Sequence, residues 1–165
     1  MSLHDVLSRR PNPTDVQPDL AGRPAEQVAV VTCMDCRIAA LDSFGLKIGD
    51  AHVIRNAGAA VTSDVIRSLS ISQRKLGTRG VVLMAHTGCG MATFTDDDYV
   101  TELVVDAGQE PSWRPMTFTD PAEHVRRGMA TLRDSPFLLG DTTVRGFVID
   151  LKTGDVNEVD GPAES

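Results

Sequence analysis

The chain has 165 residues, of which 41% are hydrophobic and 24% are charged, and this size and composition fit one globular domain with a hydrophobic core. Its net charge of −7 argues against a nucleic-acid-binding role, because phosphate binding requires a basic surface. No apolar stretch approaches the roughly 20 residues that span a bilayer, so no membrane segment is predicted.

The first 24 residues contain four prolines and lack the apolar core of a secretory signal. We predict that residues 1–24 form an N-terminal arm and that residues 25–165 form a single domain. The three cysteines, Cys33, Cys36 and Cys89, are an odd number in a chain without an export signal. This argues against a disulfide framework and favours a cytoplasmic location.

In chain order, the pattern predicts an α/β fold with a mainly parallel central sheet flanked by helices and a C-terminal strand pair. Three buried strands are predicted, and the first and third are near-continuous aliphatic runs typical of parallel strands: 27–32, 51–55 and 80–85. Helical spacing and capping residues predict four helices: 38–44, 63–76, about 97–106 and about 120–134. The strand pair is predicted at 143–151 and 155–159.

Two motifs follow the first and third predicted strands. They read Cys33-Met34-Asp35-Cys36-Arg37 and His86-Thr87-Gly88-Cys89-Gly90. Because open α/β sheets hold their ligands at the carboxyl ends of parallel strands, both motifs can meet in one crevice. Two thiolates and one imidazole form a zinc site with one open position, which is the arrangement of a catalytic Zn²⁺. The sequence therefore predicts Cys33, His86 and Cys89 as metal ligands.

Asp35 and Arg37 supply a second pattern beside these ligands. A guanidinium can hold a carboxylate through two hydrogen bonds, and a carboxylate so held stays ionised. Asp35 can then accept a hydrogen bond from zinc-bound hydroxide, or it can bind zinc itself as a fourth ligand and close the site. Gly58 and Gly90 are predicted to lie in the substrate pocket, because glycine lets the backbone approach a ligand closely.

These motifs resemble those of the beta-class carbonic anhydrases, whose pattern is Cys-x-Asp-Ser-Arg followed later in the chain by His-x-x-Cys. The stretch His52-Val-Ile-Arg-Asn-Ala-Gly58 resembles the family's segment between the motifs. Thr93-Phe-Thr-Asp-Asp-Asp98 is similar to the short, actinobacterial-type members. The resemblance covers about residues 28–94, with a weaker match over the C-terminal strand.

The resemblance implies that Cys33, His86 and Cys89 bind zinc and that Asp35 and Arg37 form a catalytic dyad. It implies reversible hydration of carbon dioxide to bicarbonate and a proton, by attack of zinc-bound hydroxide that the dyad orients. It also implies a homodimer or tetramer with active sites near the subunit interface. Hydrolysis of carbonyl sulfide or carbon disulfide with the same residues is an alternative activity within the family.

Cys36 departs from the family pattern, because it stands where the family has serine. We interpret it as a small buried residue. Two alternatives remain: a closed, structural zinc site with Cys36 as fourth ligand, and a redox pair with Cys33. His52 and His124 are weaker candidates for proton transfer, and His124 is expected on a surface helix.

Overall fold

The computed structural model describes residues 22–161, so nearly all of the predicted N-terminal arm, residues 1–24, lies outside the described residues. Within that range one sheet contains five strands: β1 (Val28–Cys33), β2 (Ala51–Asn56), β3 (Gly80–His86), β4 (Thr143–Ile149) and β5 (Val156–Val159). The strand order is β2-β1-β3-β4-β5. The first four strands are parallel, and β5 is antiparallel to β4. The predicted α/β fold with a C-terminal strand pair is confirmed.

The three helices begin and end where capping residues stand in the sequence. They are α1 (Ser63–Leu76), α2 (Asp96–Ala107) and α3 (Pro121–Arg133). The side chain of Thr62 caps α1, Thr95 caps α2 and Asp120 caps α3, each by accepting a main-chain N–H of the first turn. Gly77, at φ 82°, ends α1 in the left-handed conformation that glycine adopts without strain.

One predicted helix, at 38–44, is wrong. Only a single 3₁₀ turn forms there, at Asp42–Phe44. The carbonyl of Ile38 accepts a hydrogen bond from Arg55 instead of continuing a helical ladder, and Gly45, at φ 66°, ends the turn. Elsewhere the differences are small: the first three strands each extend one residue beyond the predicted end, to Cys33, Asn56 and His86.

Two clusters of buried side chains make up the core. The first contains Val65 and Leu69 of α1, Val125 and Met129 of α3, and aliphatic side chains of the sheet. The second contains Cys33 and Cys89 among buried apolar side chains. The candidate metal ligands are therefore part of the packed interior. Among residues 22–161, no helix is both long enough and apolar enough to cross a membrane.

The register of the two central strands brings the two motifs together. β1 and β3 pair from Val28 opposite Gly80 to Thr32 opposite Met84. Both strands run in the same direction and end at the same edge of the sheet, so their last residues, Cys33 and His86, reach that edge together. Because the strands are buried and paired along their whole length, the positions of these two side chains are set by the sheet rather than by a loop.

Candidate metal centre

Three side chains converge at the carboxyl edge of the sheet. Cys33, His86 and Cys89 each offer one ligand atom, and these atoms lie within 4.8 Å of one another. The two Sγ atoms are 4.0 Å apart. All three residues are buried, with exposed fractions of 4% or less. The predicted ligand set is thus brought together, with separations that suit tetrahedral zinc bonded at about 2.3 Å to sulfur and about 2.0 Å to nitrogen.

The His86 ring is oriented by a main-chain contact. Its Nδ1 lies 3.0 Å from the carbonyl oxygen of Thr87, so Nδ1 carries the hydrogen and donates it. This leaves a lone pair on Nε2, which is buried and is the one buried side-chain nitrogen or oxygen among residues 22–161 without a hydrogen-bond partner. A buried, unpaired imidazole nitrogen beside two thiols fits a metal ion, because coordination satisfies an atom that would otherwise be costly to bury.

The loop that follows His86 and carries Cys89 is fixed to the end of β4. The Thr87 main-chain N–H donates to the carbonyl of Ile149 at 3.0 Å, and the Leu151 N–H donates to Thr87 Oγ1 at 3.1 Å. Since the Thr87 carbonyl also accepts a hydrogen bond from the His86 ring, these contacts fix the orientation of the imidazole relative to the sheet. The chemistry of a metal ligand depends on such outer contacts, which set ring orientation and tautomer.

The electrostatics of the two thiols differ. Burial raises the pKa of Cys33, but the neighbouring His86 imidazole and the main-chain N–H groups of Asp35 and Gly58 more than offset this and lower it to about 7. Burial and the adjacent Cys33 raise the pKa of the Cys89 thiol to about 11. Two buried thiolates in contact repel each other, so both ionise together only beside a cation. The donor set therefore fits a divalent metal ion of borderline softness such as Zn²⁺.

Asp35 and Arg37 form a two-point ion pair at the opening of this site. Arg37 Nε donates to Asp35 Oδ1 at 2.9 Å, and Arg37 Nη2 donates to Oδ2 at 2.6 Å. These hydrogen bonds hold the pKa of the Asp35 carboxyl well below its usual range. Asp35 Oδ2 lies 3.8 Å from His86 Nε2, so an ionised carboxylate faces the ligand atoms while Arg37 holds it.

A cavity of about 640 Å³ opens beside the ligands and Asp35. Gly58 and Gly90, predicted in the substrate pocket, both line it. Gly58 has φ 74°, and a Cβ at this position would lie 3.0 Å from Met91 and 3.2 Å from Phe118. The position therefore suits only glycine. Apolar and aromatic side chains that the motifs do not indicate line the same cavity: Met34, Met91, Phe94, Tyr99 and Trp113.

The remaining candidates are placed differently from expectation. Cys36 is exposed, so its predicted burial is wrong, and it is not part of the group of converging ligands. His124 is buried rather than on a surface, and its Nε2 donates to the carbonyl of Gly58 at 2.9 Å. His52 Nδ1 contacts Ser72 Oγ at 2.7 Å and does not line the cavity.

Fold and site together define a class: an α/β protein with a buried Cys-His-Cys group, able to hold a metal ion, at the carboxyl edge of a parallel sheet. A family profile described as "Carbonic anhydrase" matches residues 28–156. Beta-carbonic anhydrase 1 of Mycobacterium tuberculosis is 49% identical over 136 residues, which cover 82% of this chain and 83% of that protein. The chain belongs to the carbonic anhydrase family, a family of lyases, and to its beta class.

Solved structures agree with this assignment. The crystal structure of a carbonic anhydrase from Streptococcus mutans matches with a TM-score of 0.83 and 41% identity, over 89% of each chain. Another group of relatives carries a different name: a carbon disulfide hydrolase from Acidianus sp. is 30% identical over 149 residues, which cover 75% of this chain and 72% of that protein. The family thus includes relatives named for two different substrates.

Proposed function

We propose that this protein catalyses the zinc-dependent, reversible hydration of carbon dioxide to bicarbonate and a proton. One observation supports this most strongly: Cys33, His86 and Cys89 converge on a common point, and a carboxylate paired with Arg37 faces that point from the edge of an apolar cavity. The 49% identity to a mycobacterial beta-carbonic anhydrase supports carbon dioxide as the substrate.

In this proposal Cys33, His86 and Cys89 hold the ion, and Asp35 and Arg37 act on the reactants. When bound, zinc would act as a Lewis acid and would make hydroxide available from water near neutral pH. Asp35 accepts a hydrogen bond from the O–H of the nucleophile and so directs its lone pair toward the carbon of carbon dioxide. Arg37 keeps Asp35 ionised and in place. It also donates to the Gly88 carbonyl at 3.3 Å, which links the two motif loops.

The cavity suits a small, linear, apolar substrate. Apolar side chains, among them Met91, Phe94 and Trp113, line most of its wall. Such a surface binds carbon dioxide weakly and without hydrogen bonds, and Asp35 and Arg114 are the charged residues that line it. Bicarbonate, the anionic product, is solvated poorly by this wall and is therefore released toward solvent.

The test is stopped-flow carbon dioxide hydration across pH, on protein loaded with one zinc per chain. We expect turnover that rises with pH, because hydroxide must be formed from water at the site. Replacing Cys89 with serine should remove both the zinc and the activity. A zinc-replete protein that fails to hydrate carbon dioxide at alkaline pH would contradict the proposed function.

Carbon disulfide hydrolysis is the second candidate activity, and the 30% identity to a carbon disulfide hydrolase supports it. The ligands and the dyad would be the same for both substrates, so the comparison must be made by assay. Sulfide release from carbon disulfide is measured beside carbon dioxide hydration on the same zinc-loaded sample. We expect kcat/KM to favour carbon dioxide, and the reverse ratio would assign the protein to the hydrolase group.

The structural alternative, a closed site with Cys36 as fourth ligand, has less support. Cys36 is exposed and is not among the converging ligand atoms, while Asp35 faces them. Replacing Cys36 with serine should therefore preserve both zinc content and turnover. Loss of zinc in that variant would favour the closed site. We further propose that the protein acts in the cytoplasm and assembles as a homodimer or tetramer.

A further inference from the structure

We propose that Arg55 is a positioning residue for the reaction, and that it fixes the main chain of residues 33–38, the segment that carries Cys33, Asp35 and Arg37. This inference rests on the proposed function for its catalytic consequence. Arg55 is the fifth residue of β2, the edge strand next to β1, and its Cα pairs with Thr32. It does not line the cavity and is not a candidate ligand.

The guanidinium of Arg55 donates to three main-chain carbonyls of this segment. Nε donates to Cys33 O at 2.9 Å, Nη2 to Asp35 O at 2.6 Å and Nη1 to Ile38 O at 3.2 Å. The Asp35 carbonyl also accepts from the Ile38 N–H at 3.1 Å, so the segment closes into a turn around the guanidinium. A planar fork with donors in fixed directions can satisfy three carbonyls at once, which a lysine ammonium cannot do with the same geometry.

Two of these three contacts, to the carbonyls of Asp35 and Ile38, hold the part of the site that lies beyond the end of β1. Cys33 is the last residue of β1, and the chain leaves the sheet at Met34. From there no regular secondary structure supports Asp35 or Arg37, yet the dyad must face the ligand atoms to within a fraction of an ångström. Charge-assisted hydrogen bonds from a neighbouring strand provide that support. The Arg37–Asp35 pair fixes the side chains, and Arg55 fixes the backbone beneath them.

The segment also explains why no helix forms at 38–44. The Ile38 carbonyl is turned toward Arg55, and Ile38 itself is buried beside Cys33 and Cys89 in the same apolar cluster. One side chain thus connects the first metal ligand, the dyad and a core residue. Removing it should loosen all three together, so Arg55 should affect both zinc retention and turnover.

The experiment compares Arg55→Met with Arg74→Met. Arg74 is a matched control, because it also donates two guanidinium hydrogen bonds to a main-chain carbonyl, that of Phe137, at 3.2 and 3.4 Å, but it does not line the cavity. Zinc release to a chelator is followed first, without any substrate. We expect zinc release from Arg55→Met to be about tenfold faster than from Arg74→Met. An effect of about this size is usual when a residue that positions a metal ligand is removed.

Turnover is then measured on the same samples after zinc loading. We expect kcat of Arg55→Met to fall about 100-fold with a smaller change in KM, because a shift of about 1 Å in a positioned group has effects of that order. Millimolar guanidinium ion should restore part of the lost kcat of Arg55→Met and leave Arg74→Met unchanged. A purely structural role for Arg55 would not produce that rescue.

Two outcomes separate this inference from the proposed function. If wild-type protein lacks hydration activity but Arg55→Met still releases zinc faster than Arg74→Met, the proposed function fails and the positioning role stands. If both variants match wild type in zinc release and kcat, the positioning role is overturned. Should Arg55→Met not fold, Arg55→Lys replaces it. We expect zinc release from Arg55→Lys to be faster, and its kcat to be lower, than for Arg74→Met, each by less than about tenfold. Wild-type zinc release and wild-type kcat in Arg55→Lys would overturn the inference.

Discussion

Asp35 is a partly exposed carboxylate that Arg37 holds in place at the opening of the site. Its side chain is 16% exposed, and Arg37 holds both carboxylate oxygens. Asparagine at this position keeps the shape but removes the charge and one acceptor oxygen. We expect Asp35→Asn to retain zinc and to lose about 10²- to 10³-fold in turnover, the range for loss of one positioned hydrogen bond to the reacting group. The measurement is stopped-flow hydration together with metal analysis.

A matched control for this variant is Asp64→Asn. Asp64 also pairs with an arginine, with Arg67 Nε donating to Oδ1 at 2.7 Å, but on the exposed first turn of α1. Equal turnover in the Asp35 and Asp64 variants would show that the carboxylate beside the ligands has no role in the reaction.

His124 links α3 to the site through one main-chain group. Its ring stacks on Phe118, with ring centroids 4.3 Å apart, and its Nε2 donates to the Gly58 carbonyl. The Gly58 N–H in turn lies 3.4 Å from Cys33 Sγ and donates to it. Burial lowers the pKa of His124 below its ordinary value of 6.5, and the positive charge of Arg127 acts in the same direction. The folded protein therefore holds this imidazole neutral.

This predicts a loss of stability in mild acid. The unfolded chain protonates His124 near pH 6.5, while the folded protein does so only at lower pH, so the unfolded state binds more protons between the two values. The stabilising contribution is complete above about pH 6.5 and is lost as pH falls toward the pKa of the folded state. His124→Gln, which keeps an N–H donor but does not titrate, should flatten this part of the curve. Urea unfolding from pH 7.5 to 5 measures it, and parallel curves would contradict the prediction.

At the scale of elements, two glycines shape the contact between α3 and the sheet. Gly146 lies in β4, and a Cβ there would be 2.4 Å from Val125 Cγ1 and 2.7 Å from Met129 Sδ. Gly128, on α3 itself, faces Leu83 in the same way, with Cδ2 2.5 Å from its Cβ position. Each glycine thus leaves room for side chains of the facing element, which lets α3 pack closely on the sheet.

Gly146→Ala should therefore destabilise the protein by about 1–3 kcal/mol, the usual cost of overpacking a core. The cause is displacement of α3, because the atoms that the new Cβ meets include a branched valine methyl. Gly140→Ala is the control, since nothing lies within 4 Å of its Cβ and it should change the free energy of unfolding by no more than about 0.5 kcal/mol. Equal stabilities in denaturant unfolding would show that α3 can shift without cost.

The elements were largely predictable, and the exceptions have local causes. The sequence predicts helix α1 at its observed limits because an apolar stripe has Asp64 in its first turn and Gly77 after its last residue, and the structure adds Thr62 as the N-cap. The predicted helix at 38–44 failed because the carbonyl of Ile38 bonds to Arg55, a contact from another strand that no local pattern encodes. His124 is expected at the surface because its helix is expected to be a surface helix. Its spacing of eight residues from buried Leu132 was the available signal.

For the whole molecule, the exposed apolar side chains around the cavity bear on the proposed assembly. Met34 is 66% exposed and Trp113 is 55% exposed, and both line the cavity. Large apolar side chains that are exposed together typically mark an interaction surface. We expect a solution mass of two or four times 17.7 kDa by light scattering at micromolar concentration. A monomer at that concentration would contradict this.

Trp113→Ser should weaken the association if this surface is the interface. An interface tryptophan commonly contributes about 2 kcal/mol or more, which corresponds to roughly a 30-fold increase in Kd. Val105→Ser is the control, because Val105 is 79% exposed but does not line the cavity. Sedimentation over a dilution series compares the two, and equal dissociation constants would place the interface elsewhere.

The candidate site was predictable in part, for a physical reason. Few positions in a protein need the metal-binding or acid–base properties of cysteine, histidine or a paired carboxylate. Cys33, Asp35 and His86 are therefore easy to recognise at the ends of aliphatic strands. The apolar wall of the cavity is not conspicuous, because Met91 and Phe94 look like ordinary core residues in sequence. Arg55 had a weak signal, a lone arginine within a short strand, but its three carbonyl contacts depend on the tertiary fold.

The pairing of β1 with β3 has a consequence for how the chain reaches its native state. Successive strand residues point to opposite faces, so a slip of one residue between Val28 and Gly80 would turn Cys33 away from His86. An ion bound by Cys33, His86 and Cys89 can therefore exist in one register only. Because zinc binds only this register, zinc in the folding mixture increases its population at the expense of the slipped registers. The ion then acts on the fidelity of strand pairing as well as on substrate, and zinc-free refolding would accumulate chains with mispaired central strands.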